Sequence, residues 1–190
     1  MNLGTAHTDE ELMTAVQRGD TQKLGLLFDR HHAALFRYFL RLGGSRNLSE
    51  DLTQEVFFRM LRAGETWRAD ARFANWMYRI ARNSFIDHNR KQKWETEMVP
   101  DYDVPAPKSA GYEEEQERDL VRRALAELPP DKRELLVLSR YQGMKYEQIG
   151  ELLGVEAGTI KVRVFRALQQ LRGIYERLSG GQHVLSGTRG

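Results

Sequence analysis

Apolar residues in this chain recur three and four positions apart, and no convincing run alternates strictly as a strand would. Leu12, Ala15 and Val16 set the pattern, and Leu24, Leu27 and Phe28 repeat it. That period lays one side of a helix against a core, so the expected fold class is all-α. One stretch lacks it: VPDYDVPAPKSAG, residues 99–111, holds three of the five prolines and no helical spacing. Proline removes a backbone donor and steers its predecessor away from helical geometry, which reads as a flexible linker. The chain of 190 residues is therefore expected to form two helical domains, 8–93 and 113–178. A linker at 94–112 joins them, and a disordered tail at 179–190 follows.

Local signals place the helices. Gly43-Gly44-Ser45 separates two of them, and Asn47 with Glu50, or Ser49 alone, is the expected cap of the next. That helix runs to about Arg62, a loop covers Gly64 to Arg72, and a long helix follows from Phe73 to Lys93. A further helix over Glu113–Glu127 is stopped by Leu128-Pro129-Pro130, after which Asp131 is expected to cap the next, answered by Glu134. The acidic run Glu113–Glu117, at the start of the 113–127 helix, suits the positive end of a helix dipole.

Composition removes several function classes. With no cysteine there are no disulfides, thiolate metal sites or cysteine nucleophiles. No apolar run approaches the ~18 residues of a membrane span, and no basic stretch followed by an apolar core opens the chain. Residues 1–93 carry 15 basic and 11 acidic side chains, residues 94–127 carry 4 and 10, and residues 128–190 carry 10 and 6. Two mildly basic blocks flank an acidic one, and basic blocks suit polyanion partners.

Residues 145–172, KYEQIGELLGVEAGTIKVRVFRALQQLR, carry the most specific signal. Tyr146, Ile149, Gly150 and Leu153 share one face of a short helix, Gly154 supplies a turn, and Val155 is placed to fill the space between helices. In the second helix, starting near Ala157, one side collects Ile160, Val164, Ala167, Leu168 and Leu171. The other collects Thr159, Val162, Arg163, Arg166 and Gln170, with Lys161 and Phe165 flanking. Arginine suits guanine edges, glutamine suits adenine, and valine suits a thymine methyl. The pattern reads as a helix-turn-helix whose second helix suits DNA, the plainer alternative being a solvated amphipathic helix with ordinary surface arginines.

Two earlier segments have unusual faces. In SEDLTQEVFFRML (49–61), Leu52, Val56 and Met60 form the buried stripe, while Asp51, Gln54, Glu55, Phe58 and Arg62 lie opposite. A phenylalanine among carboxylates marks either a protein contact or packing beneath a neighbouring loop. In FANWMYRIARNSFIDHNRKQK (73–93), Phe73, Trp76, Met77, Ile80 and Ser84 read as core. Asn75, Tyr78, Arg79, Arg82, Ile86, Asn89 and Lys93 face the other way. Cations interleaved with flat groups suit an unstacked nucleic-acid strand, and equally a solvated basic face.

These three blocks, SEDLTQEVFFRML, RFANWMYRIARNSFIDHNRK and LPPDKRELLVLSRYQGMKYEQIGELLGVEAGTIKVRVFRAL, resemble the extracytoplasmic-function (ECF) group of bacterial sigma factors in order and spacing. The resemblance covers about residues 8–178. It implies that Asp51, Gln54, Glu55 and Phe58 dock on the clamp helices of RNA polymerase. It implies that Tyr78, Arg79, Arg82, Asn89 and Arg90 open and read the promoter −10 element. The third block would read the −35 element through Thr159, Lys161, Val162, Arg163, Phe165 and Arg166. Implied partners are core RNA polymerase (β′ clamp helices and β flap), promoter DNA and an anti-sigma factor, with cytoplasmic location, no cofactor and no metal. The family's phenylalanine-arginine-glycine-like loop, which would hold a flipped base, is here Trp67-Arg68-Ala69-Asp70-Ala71-Arg72. Val162 stands where a small polar residue is common, and Leu168 where arginine is common.

Two rival readings explain less. A helix-turn-helix repressor or response-regulator output domain accounts for 145–172 but for neither earlier block. A small helical enzyme would need metal-ligand spacing or a phosphate loop, and His7, His31, His32, His88 and His183 supply neither. The adjacent His31 and His32 read as structural or surface residues.

Overall fold

The computed structural model describes residues 7–95 and 112–180. Nearly all of the expected linker, and residues 181–190 of the expected tail, lie outside them. Among the described residues there are helices and no strand: α1 (Asp9–Gln17), α2 (Lys23–Leu42), α3 (Arg46–Arg62), α4 (Phe73–Glu95), α5 (Tyr112–Ala126), α6 (Pro130–Leu136), α7 (Tyr146–Leu153) and α8 (Ala157–Leu178). A 3-10 turn over Gly64–Thr66 follows α3, and a π-helical turn over Val137–Tyr141 follows α6. The chain divides into two compact units.

In the first unit Thr8 and Glu11 form a capping box that starts α1. Leu12, Met13 and Val16 are buried on one stripe of it. α2 packs by aromatic contacts: Tyr38 meets Tyr78 at 5.3 Å between ring centroids, and Phe39 meets Phe85 at 6.2 Å. α3 begins earlier than expected. Ser45 is its cap, accepting from the Leu48 N–H at 3.2 Å, so Asn47, Ser49 and Glu50 already lie inside the helix. Ser49 is buried and its hydroxyl donates back to the Ser45 carbonyl at 2.8 Å. The two histidines are structural: His31 Nε2 pairs with Asp9 at 2.7 Å, and the His32 ring stacks on Phe28 at 4.9 Å.

In the second unit α8 packs against α5, α6 and α7. Asp131 does not cap α6, because the helix starts two residues sooner, with Pro129 at the cap position and Pro130 in the first turn. Proline is suited to that place, where an N–H would be unpaired anyway. The Arg133 guanidinium instead donates to the carbonyls of Ala126 and Leu128, closing the end of α5.

The turn between α7 and α8 follows the sequence reading closely. Gly154 adopts left-handed geometry, φ +68°, where a side chain would be strained. At Gly150 a Cβ would lie 2.4 Å from the Val155 carbonyl oxygen, so only glycine admits this approach. The Val155 N–H returns to the Gly150 carbonyl at 2.9 Å. Ile149 and Leu152 are buried, whereas Leu153, expected on that stripe, is half-buried. Replacing Gly150 with alanine should force the turn apart. We expect a loss of about 2 kcal/mol, typical of overpacking a tight site, read by chemical denaturation.

Candidate functional site

The outer face of α8 is assembled as expected. Ile160, Val164 and Ala167 are buried behind it, and Thr159, Lys161, Val162, Arg163, Phe165 and Arg166 are all exposed in front. Phe165 is 61% exposed and Val162 49%, so two apolar groups stand among three cations. Gln170 does not join them. Lys132 Nζ donates to its Oε1 at 2.6 Å, holding it against α6.

On α4, Arg79 and Arg90 are exposed, and Arg82 and Asn89 are half-buried along the same helix. Ile86, 42% exposed, is an apolar group on this face. Tyr78 is a correction. It is 5% exposed, its ring set against Tyr38, and Asn75 is buried beside it. A helical wheel sees one neighbour at a time; α2 covers the side of α4 that the wheel assigns to solvent. Burial raises the Tyr78 phenol well above the ordinary tyrosine value, and Arg37 opposes this only in part.

The loop ahead of α4 is also narrower than its sequence suggests. Trp67 is 3% exposed, stacked edge-on against Phe73 and Trp76. What the loop presents is Arg68, Ala69, Asp70 and Arg72. Arg68 binds Asp70 through two hydrogen bonds of 3.0 and 3.1 Å, which holds that carboxyl below the usual carboxylate range.

On α3, Asp51 and Gln54 are exposed and Phe58 is 53% exposed, which excludes packing beneath a loop. The Arg62 guanidinium stands 5.5 Å from the Phe58 ring centroid. Leu61, 41% exposed, extends the apolar surface one turn further. It was missed by the sequence reading, although its spacing of three from Phe58, off the buried stripe, could have revealed it. Glu55, its side chain 43% exposed, stays on this face but is tethered within the helix. Its carboxylate accepts from Arg59 Nε at 2.7 Å, and Arg59 Nη1 reaches Asp87 of α4 at 3.2 Å. The bond to Glu55, with Asp87 adding to it against partial desolvation, raises the Arg59 pKa. Glu55 therefore braces α3 against α4.

A helix-turn-helix with an exposed basic face, in a chain whose other helical unit carries a second basic face, defines a helical DNA-binding protein. The comparisons narrow this. Residues 27–95 match the family model of Sigma-70 region 2, and residues 118–171 match that of Sigma-70, region 4. The ECF RNA polymerase sigma-E factor of Haemophilus influenzae is 30% identical over 178 residues, covering 86% of this chain and 93% of that protein. The ECF RNA polymerase sigma factor SigE of Mycolicibacterium smegmatis is 38% identical over 153 residues, covering 77% of this chain but 59% of the relative. Among solved structures, the sigma factor RpoE of Bartonella quintana is 25% identical with a TM-score of 0.67, covering 82% of this chain and 96% of that one. The chain belongs to the sigma-70 family, and within it to the ECF group of RNA polymerase sigma factors.

The buried tyrosine gives a pH test. The folded state holds the Tyr78 proton more tightly than the unfolded chain does. Its contribution is thus intact below the ordinary tyrosine value, about 10, and is lost as pH rises beyond it. An ultraviolet titration should find Tyr78 silent while exposed tyrosines ionise. Tyr78→Phe should remove part of the alkaline loss of stability.

Proposed function

We propose that this protein binds core RNA polymerase through the β′ clamp helices and the β flap. It directs the enzyme to promoters by their −35 and −10 elements and promotes strand opening. Asp51, Gln54, Glu55 and Phe58, extended by Leu61 and Arg62, form the clamp-binding face of α3. Arg79, Arg82, Asn89 and Arg90 hold the separated strand of the −10 element along α4, with the 67–72 loop receiving an extruded base. Thr159, Lys161, Val162, Arg163, Phe165 and Arg166 meet the −35 element in the major groove.

The observation that carries this reading is Phe58: a large aromatic left open to solvent between Gln54 and Arg62, in the unit that does not hold the helix-turn-helix. A protein that only read DNA would have no use for it, and exposed aromatics beside arginine are the usual anchors of protein interfaces. The protein acts as an initiation factor in the cytoplasm and performs no chemical step itself. The Bartonella quintana relative was solved with the anti-sigma factor NepR, and a regulatory partner of that kind is proposed for this chain. The deciding experiment is run-off transcription with core RNA polymerase on a genomic library; DNA binding that needs no polymerase would favour a repressor.

Two predictions separate the contacts. Phe58→Ala should weaken polymerase binding by about 1–2 kcal/mol, as loss of a hot-spot residue does, with helical content unchanged. Titration against labelled core enzyme measures it. Arg166→Ala should cost about 1–3 kcal/mol and relax preference at one −35 position, whereas Lys161→Ala should weaken all promoters alike and lower the salt slope by about 1. Selection of −35 variants by each mutant holoenzyme distinguishes them.

A further inference from the structure

α1 lies ahead of the region 2 match, which begins at residue 27, yet its side chains reach the loop on both sides. At the near end, Gln17 Nε2 donates to the Trp67 carbonyl at 3.0 Å, and the Trp67 indole N–H donates to Thr14 Oγ1 at 3.1 Å. Thr14 is itself fixed, its hydroxyl donating to the Glu10 carbonyl at 2.7 Å. At the far end, Glu10 Oε1 accepts from the Phe73 N–H at 3.0 Å. Phe73 is the first residue of α4, so a carboxylate from a distant helix serves an N–H that α4 cannot satisfy itself. The charge also lies at the favourable end of the α4 dipole.

The apolar packing agrees with the polar contacts. Leu12, Met13 and Val16 are buried, and Met13 Cε would be 3.8 Å from a Cβ at Gly64, just before the loop. Asp9 reaches the same place through His31, whose ring lies 5.2 Å from Phe73. Between the two anchored ends only Arg68 to Arg72 remain, tightened by an Ala71 N–H bond to the Arg68 carbonyl at 2.9 Å. No glycine lies between them, so this short segment has little freedom to absorb a movement of its ends.

We infer that α1 is a positioning element for promoter opening: Glu10 and Gln17, with Thr14, set the separation of Trp67 and Phe73 and thereby the shape in which the 68–72 loop meets an extruded base of the −10 element. This rests on the reading of that loop given above. Glu10 and Gln17 do not touch DNA; they act through the backbone at each end.

The test uses holoenzyme reconstituted from core RNA polymerase and the full chain, on promoters randomised across the −10 element, with start sites sequenced. Glu10→Ala and, separately, the exposed Gln17→Ala should each flatten preference at one −10 position by about fivefold, the scale of one lost capping bond. Preference at the −35 element and affinity for core enzyme should stay parental. Glu10→Gln keeps an acceptor oxygen for the Phe73 N–H and should keep the parental −10 preference, which a generally weakened fold would not. Parental −10 preference in both alanine variants overturns the positioning role and leaves the loop reading standing. If instead no −10 position responds to Arg68→Ala or Asp70→Ala, the loop reading falls, and the inference with it.

Discussion

A helix in a small domain can bury one stripe of side chains against its neighbours; whatever points elsewhere is left to water or to a partner. The contacts proposed for the helices of this protein follow from that constraint. In α8 the stripe is Ile160, Val164 and Ala167, and its packing turns Val162, Arg163, Phe165 and Arg166 outward on a rigid support. In α3 the stripe is Leu52, Val56, Phe57 and Met60, which leaves Phe58 exposed although its neighbour Phe57 is buried. Adjacent phenylalanines meet different fates because successive helical residues point about 100° apart.

The second level of order comes from polar groups that tie helices together. Arg133 closes α5 from α6, Lys132 holds Gln170 of α8, and Arg59 joins Glu55 of α3 to Asp87 of α4. Individually such half-exposed pairs contribute little, on the order of 0–1 kcal/mol each. Their effect is on orientation: they fix which way a helix presents its free face. The Glu55–Arg59–Asp87 bridge matters most in this sense, since it links the face proposed for polymerase to the helix proposed for the −10 strand.

Apolar groups on the surfaces proposed to meet DNA are as informative as the cations. Ile86 on α4, with Val162 and Phe165 on α8, are exposed where burial would be favourable. Leaving such groups partly in water forgoes a share of the roughly 1.5–3 kcal/mol that complete burial of an exposed side chain would contribute. An aromatic or branched side chain there can meet a thymine methyl or an unstacked base, which a lysine cannot.

Periodicity alone was enough for the all-α class, the helix-turn-helix and the buried stripe of α3, because each depends on residues within one helix or one turn. Gly150 and Gly154 are legible for the same reason: a left-handed turn and a close backbone approach leave a glycine mark at short range. What sequence could not resolve were the places where a second element intrudes. Tyr78 lies on the polar side of its own helix and is buried because α2 covers it. Trp67 belongs to a loop by sequence and to the core by its contacts with Thr14, Phe73 and Trp76. Glu55 and Gln170 read as free polar groups and are held by Arg59 and Lys132. Glu10 caps a helix 63 residues further on. Local order follows from backbone geometry and side-chain period, which are written residue by residue. Which polar face stays open is decided by what packs over it, and that is known only once distant parts of the chain have met.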